Sequence, residues 1–180
     1  MKFCSQCGDA VGLSIPEGDN LPRHVCRRCG TIHYLNPKLV VGCIAEWQDR
    51  ILLCRRSISP RHGLWTLPAG FMENGESTAE AAIRETLEEA CARVEIGQAF
   101  ALVSVPHINQ VHLFYRAQLL DTGFAAGLET LETALFAEEE IPWQELAFQS
   151  VTHCLRAYFA DRTAGRFVFH DEALRPLPGQ

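Results

Sequence analysis

Four of the eight cysteines fall in the first 29 residues, as Cys4-x-x-Cys7 and Cys26-x-x-Cys29, and they decide what that segment can become. A stretch this short cannot bury a core of its own and needs a staple. Eighteen residues separate the two pairs, and each pair is followed by a glycine, Gly8 and Gly30. Glycine permits the tight turn that aims backbone N–H groups at a thiolate sulfur. Two such turns at this spacing match a closed, four-thiolate Zn²⁺ site of ribbon type, a structural site with no open position for chemistry. A redox motif needs only one pair, and paired disulfides need an oxidising compartment. The start, MKFCSQCGD, has no apolar run of a secretory leader, so reduced thiols and a cytoplasmic location are expected. The intervening Gly, Pro, Asp and Asn predict a hairpin with a long loop. His24 and His33 read as non-ligands, because four thiolates fill a tetrahedral shell. Metal binding would supply much of this segment's folding energy. The spacing predicts a zinc ribbon over 1–36 and a main domain over 37–180.

The remaining chain has the composition of a globular domain: over all 180 residues, 47% are hydrophobic and 21% charged. A net charge of −6 weighs against a nucleic-acid binder, which would carry a basic face. No apolar run approaches about 18 residues, so no membrane-spanning helix and no membrane partner is expected. Leu39–Trp47 and Arg50–Arg55 read as buried strands around a Gln48-Asp49 turn, with Cys43 and Cys54 as small core residues. Arg55 and Arg56 close the second strand; they are either surface charge or a clamp for phosphate oxygens. Further strands are expected over 63–67, 100–105, 111–120 and 166–170, another ahead of Phe136, and a helix over 150–160 that ends by Gly165. Cys154 reads as core, His107 and His112 as packed or surface residues, and the Pro-rich end as loose.

The stretch Gly70–Ala92, GFMENGESTAEAAIRETLEEACA, reads as a loop entering a helix. Ser77-Thr78-Ala79-Glu80 fits a capping box. At helical periodicity Ile83, Leu87, Ala90, Cys91 and Val94 form an apolar stripe. Glu85, Glu88 and Glu89 then share the opposite face. Like charges three and four residues apart destabilise a helix by about 0.2–0.5 kcal/mol per pair. Either water solvates this face or a hard divalent cation such as Mg²⁺ sits on it.

Gly70, five residues, Glu76, seven residues, Arg84, then Glu85, Glu88 and Glu89: this resembles the Nudix box, G-x5-E-x7-R-E-U-x-E-E-x-G-U, with U bulky and apolar. Every charged position is present. Thr86 stands at an apolar position, Cys91 at the second glycine and Ala92 at the last apolar one. The change at Cys91 leaves open how the helix ends, with Gly97 as a later stop. GLWTLPAG before the box, and Cys29–Lys38 leading to Val41-Gly42-Cys43, resemble the zinc-ribbon subgroup that includes plant-type FAD and ADP-ribose pyrophosphatases.

The resemblance implies an α/β/α Nudix sandwich with a mixed sheet, preceded by the ribbon. It implies metal-dependent hydrolysis of the pyrophosphate bond in a nucleoside diphosphate linked to another group, with ADP-ribose or FAD as leading substrates. Glu85, Glu88, Glu89 and the Gly70 carbonyl would hold Mg²⁺ or Mn²⁺, with Glu85 the first candidate to deprotonate water. Glu76 and Arg84 would form a structural ion pair. A further carboxylate often comes from a later loop; Glu129 is the candidate here and Glu132 the reserve. NADH pyrophosphatases carry an SQPWPFPxS-like motif after the box, which Ala101–Gln110 lacks. The alternatives are NADH or cap hydrolysis, another Nudix substrate, or a non-catalytic nucleotide sensor, which would usually have lost box carboxylates. A homodimer is expected on the resemblance alone.

Overall fold

Alternation along two adjacent strands sets the architecture. Val41, Cys43 and Ala45 of β4 (Lys38–Trp47) and Leu52 and Cys54 of β5 (Arg50–Arg56) point into one apolar cluster. Ile44, Ile51 and Leu53 point into another. Side chains of a strand alternate between faces, so a strand buried on both sides must be apolar throughout. The structure, a computed structural model, describes residues 1–175; the end of the Pro-rich tail lies outside the described residues.

Two compact units divide the chain after Pro37. In the first, β1 (Val11–Ser14), β2 (Arg23–Cys26) and β3 (Ile32–His33) form an antiparallel sheet in that order. Gly8 and Gly30 take φ of 74° and 73°, the left-handed turn expected after each cysteine pair.

The second unit is built on a mixed eight-stranded sheet. Its remaining strands are β6 (Trp65–Thr66), β7 (Ala69–Phe71), β8 (Val94–Val105), β9 (Gln110–Leu119), β10 (Thr130–Phe136) and β11 (His170–Ala173). The order is β10-β5-β4-β9-β8-β11, with β6 on β5 and β7 on β4. β4 with β9 and β8 with β11 run parallel; the other pairs are antiparallel. Helix α1 (Thr78–Ala90) packs Ala81, Ala82 and Ala90 into one cluster. Helix α2 (Gln149–Ala164) packs Val151, Cys154, Leu155, Tyr158 and Phe159 into the other. The sheet lies between them, the α/β/α sandwich expected.

Three local expectations are corrected. The last strand is 170–173, not 166–170. Phe167 instead packs against Tyr158 and lies beneath the Arg116 guanidinium, 3.3 Å from ring centroid to Cζ. Helix α1 ends at Ala90 without waiting for Gly97. Cys91 itself adopts the left-handed conformation, φ 49°, and its N–H donates to the Leu87 carbonyl. Finally, the buried face of α1 is Ala81, Ala82, Glu85, Thr86, Glu89 and Ala90, while Leu87 and Cys91 are exposed. The helix is rotated from its apolar stripe, because alanines allow close approach to β4 and its buried polar groups find partners. Thr86 Oγ1, for one, donates to the Ala82 carbonyl at 2.8 Å.

Candidate active site and cysteine cluster

The capping box forms as predicted: the Ser77 side chain accepts from Glu80 N–H, and Glu80 accepts from Ser77 N–H at 2.8 Å. It fixes the entry of α1, so the next two turns present their carboxylates toward β7. Arg84 reaches back to Glu76 through two bonds, Nε to Oε2 at 2.9 Å and Nη2 to Oε1 at 2.7 Å. Its Nη2 also donates to the Phe71 carbonyl at 3.2 Å. The loop is thereby tied to the helix, and the Arg84 hydrogen bonds hold the Glu76 carboxyl down to about 2.

Arg84 Nη1 bonds Glu85 Oε1 at 2.7 Å and Glu88 Oε2 at 3.0 Å. The like-charged face is therefore partly neutralised from within. Glu85 is buried and its carboxylate lies over Gly70: a Cβ there would stand 2.3–2.5 Å from its three carboxylate atoms. Burial raises the Glu85 carboxyl above its ordinary value, against the pull of Arg84. Glu89 is also buried, and its Oε2 accepts the Ala69 N–H at 3.0 Å. Burial pushes its carboxyl up to about 7. Glu88 is exposed. The three carboxylates thus do not share one solvated face: two turn inward to the backbone of 69–70, and one stays at the rim.

Glu129 and Arg56 complete the surroundings. The charges of both act on Glu89, Glu129 raising its carboxyl and Arg56 lowering it. Arg56 donates Nε to the Pro60 carbonyl at 3.0 Å and lies over the Phe148 ring. Arg55 points elsewhere, with Nε on the Gly63 carbonyl and Nη1 3.5 Å from Glu132. Glu132 is its cross-strand partner and is thereby separated from Glu129. Two cavities of about 300 and 320 Å³ are lined by none of these carboxylates. His112 is buried, bonded to Ser150 Oγ at 2.8 Å and Gln110 Oε1 at 2.9 Å, a packed histidine as expected.

Two backbone features escaped sequence reasoning. Gly42 is required by proximity, since a Cβ there would meet the Pro68 carbonyl and the Ala69 Cβ at 2.4 Å. Gly127 donates its N–H to the Glu89 carbonyl at 3.0 Å. Neither carries a turn signature, because neither has a positive φ.

In the first unit the sulfurs of Cys4, Cys7, Cys26 and Cys29 all lie within 4.8 Å of one another. The Cys4–Cys29 and Cys7–Cys26 separations are 3.7 and 3.5 Å. Tetrahedral Zn²⁺ with bonds of about 2.3 Å places sulfurs about 3.8 Å apart, so the four fit one ion. His33 Nε2 sits 3.3 Å from Cys4 Sγ, touching the cluster from outside it. Among the described residues, no other group of metal-donor side chains converges as tightly.

A family model described as the NUDIX domain matches residues 36–163, and one described as Nudix N-terminal, a zinc ribbon, matches 2–35. The chain belongs to the Nudix hydrolase family. A NUDIX hydrolase from Nitrosomonas europaea superposes with a TM-score of 0.95 at 55% identity, covering 98% of this chain and all of that one. An ADP-ribose pyrophosphatase of Methanocaldococcus jannaschii is 30% identical over 119 residues, 64% of this chain and 69% of that protein. The NAD-capped RNA hydrolase NudC of Photobacterium profundum is 36% identical over 146 residues, 78% of this chain. The chain spans 52% of that relative's length. Membership in the family implies a divalent cation for the Nudix unit, and the ribbon cysteines are suited to zinc.

Proposed function

We propose that this Nudix protein hydrolyses the pyrophosphate bond of a nucleoside diphosphate linked to a second group, with ADP-ribose or FAD preferred. The observation that carries the reading is the pair of buried carboxylates, Glu85 and Glu89, turned onto the Ala69–Gly70 backbone. Buried carboxylates with raised proton affinity suit an oxygen-seeking cation that displaces their protons. Glu85, Glu88, Glu89 and the Gly70 carbonyl would hold Mg²⁺ or Mn²⁺, and the four ribbon thiolates Zn²⁺. When bound, the Nudix cation supplies charge neutralisation between carboxylates and phosphate oxygens and acidifies water.

Glu76 and Arg84 hold loop and helix together. Arg56, whose charge already reaches Glu89, binds phosphate; Arg55, engaged with Glu132, contributes less. Glu129 accepts the proton of the attacking water, in place of Glu85. The Glu85 carboxylate is bonded to Arg84 and lies over Gly70, whereas Glu129 is exposed and enters no ion pair among the described residues.

A second reading, hydrolysis of an NAD-linked substrate, is favoured by the relatives named NAD-capped RNA hydrolase. Net acidity does not by itself exclude RNA. Product release from ADP-ribose, FAD, NADH, NAD-capped RNA and ADP-glucose, each with Mg²⁺ or Mn²⁺, tests both. ADP-ribose or FAD turning over fastest supports the first reading; NADH or capped RNA leading replaces it. No turnover of any of them favours a sensor. Homodimer formation is tested by light scattering against a chain mass of 20.1 kDa.

A further inference from the structure

The segment that carries Glu129 is fastened to α1 by main-chain bonds at Glu89 and Ala90. Ala125 N–H donates to the Ala90 carbonyl at 2.8 Å, and Gly127 N–H to the Glu89 carbonyl at 3.0 Å. Carbonyls in the last turn of a helix have no intrahelical partner, so this loop satisfies two that would otherwise face water. On its other side, Ser57 N–H donates to the Glu129 carbonyl at 2.9 Å, and Ser57 Oγ to the Leu128 carbonyl at 3.3 Å. Thr130 N–H closes the turn on the Gly127 carbonyl at 3.1 Å. The backbone at Glu129 is held from both flanks, although its side chain is exposed.

Contact this close excludes a side chain at 127. A Cβ would stand 1.8 Å from the Glu88 carbonyl oxygen, 2.9 Å from its carbon and 3.1 Å from the Glu89 carbonyl carbon. These are helix backbone atoms and cannot swing aside. Gly123, in the same loop, meets only the Asp121 carboxylate at 2.9 Å, the end of a flexible side chain.

We infer that Gly127 is a positioning residue of the Nudix site: its bare contact with the Glu88–Glu89 backbone sets where Glu129 stands relative to Glu89. This rests on the role proposed for Glu129. A methyl group at 127 must lift the loop by more than an ångström, and a misplacement of that size costs about 100-fold in rate.

The test compares Gly127→Ala, Gly123→Ala, Glu129→Gln and the 127/129 double variant. Turnover of the best nucleotide substrate and amide exchange at 125–130 are read for each. The expected result is a fall in kcat of about 100-fold for Gly127→Ala with KM nearly unchanged. Ala125 and residue 127 lose protection, Gly123→Ala behaves as wild type, and the double variant is no slower than the slower single one. Full kcat in Gly127→Ala, or effects of the two substitutions that multiply, would overturn the assignment. So would fast exchange at both amides in a fully active wild type. A wild type inactive on every substrate would instead remove the functional reading and the assignment together.

Discussion

Glu89 is where charge and burial meet. Burial disfavours its anion and pushes its carboxyl up to about 7 in the folded chain, from an ordinary 4.5. Between those values the folded chain binds the extra proton. Stability from this group is therefore full below about pH 4.5 and lost as pH rises through 7. The thermal midpoint of the metal-free chain should fall over that interval, and Glu89→Gln should flatten the slope. Divalent metal should displace the proton. Calorimetry in buffers of different ionisation enthalpy should then show proton release on Mg²⁺ or Mn²⁺ binding near neutral pH, reduced in Glu89→Gln. Arg84 acts through geometry. Arg84→Ala should lower kcat at least tenfold and Arg84→Lys should not restore it, since one ammonium cannot hold Glu76, Glu85 and the Phe71 carbonyl together.

Among the elements, helix α1 shows where reading from sequence succeeds and where it stops. Its start was legible, because capping demands fixed residue types at fixed spacing, and its tie to Glu76 was implied by the resemblance to the Nudix box. Its facing was not legible. The stripe rule assumes that apolar residues go inward, whereas here Glu85 and Glu89 go inward and Leu87 stays out. The edge strand β11 was misplaced for a related reason: its pairing with β8, not its own residues, decides it. Cys91 holds a left-handed conformation that costs a non-glycine residue about 1 kcal/mol or more. Cys91→Gly should stabilise the chain by about 1 kcal/mol in denaturant titrations, since the replaced side chain is exposed. Ser77→Ala should cost about 1 kcal/mol by loss of the cap.

At the scale of the whole molecule, two units rest on different energies. The sandwich has its two apolar clusters, whereas the first unit gathers four cysteine sulfurs in place of a core. Freshly purified protein should contain about one zinc per chain, and chelation should abolish the ordered shifts of the first unit while leaving the sandwich folded. Among the described residues no helix is long and apolar enough to cross a membrane. The cysteine spacing made the ribbon legible, and the box marked the residues proposed for the site. The substrate was not legible, since nucleobase and sugar contacts come from loops with no fixed spacing. Gly127 was hidden because its requirement is a contact across 38 residues of chain to Glu89.

We read the inward-turned carboxylates of α1 as a metal-dependent pyrophosphatase site. The most direct measurement is hydrolysis of ADP-ribose and FAD with Mg²⁺ or Mn²⁺ by wild type and by Glu89→Gln of equal fold. Wild type is expected to turn over only in the presence of the metal, and the variant to lose at least about 100-fold. Equal rates for the two proteins, or turnover unaffected by chelation, would contradict it.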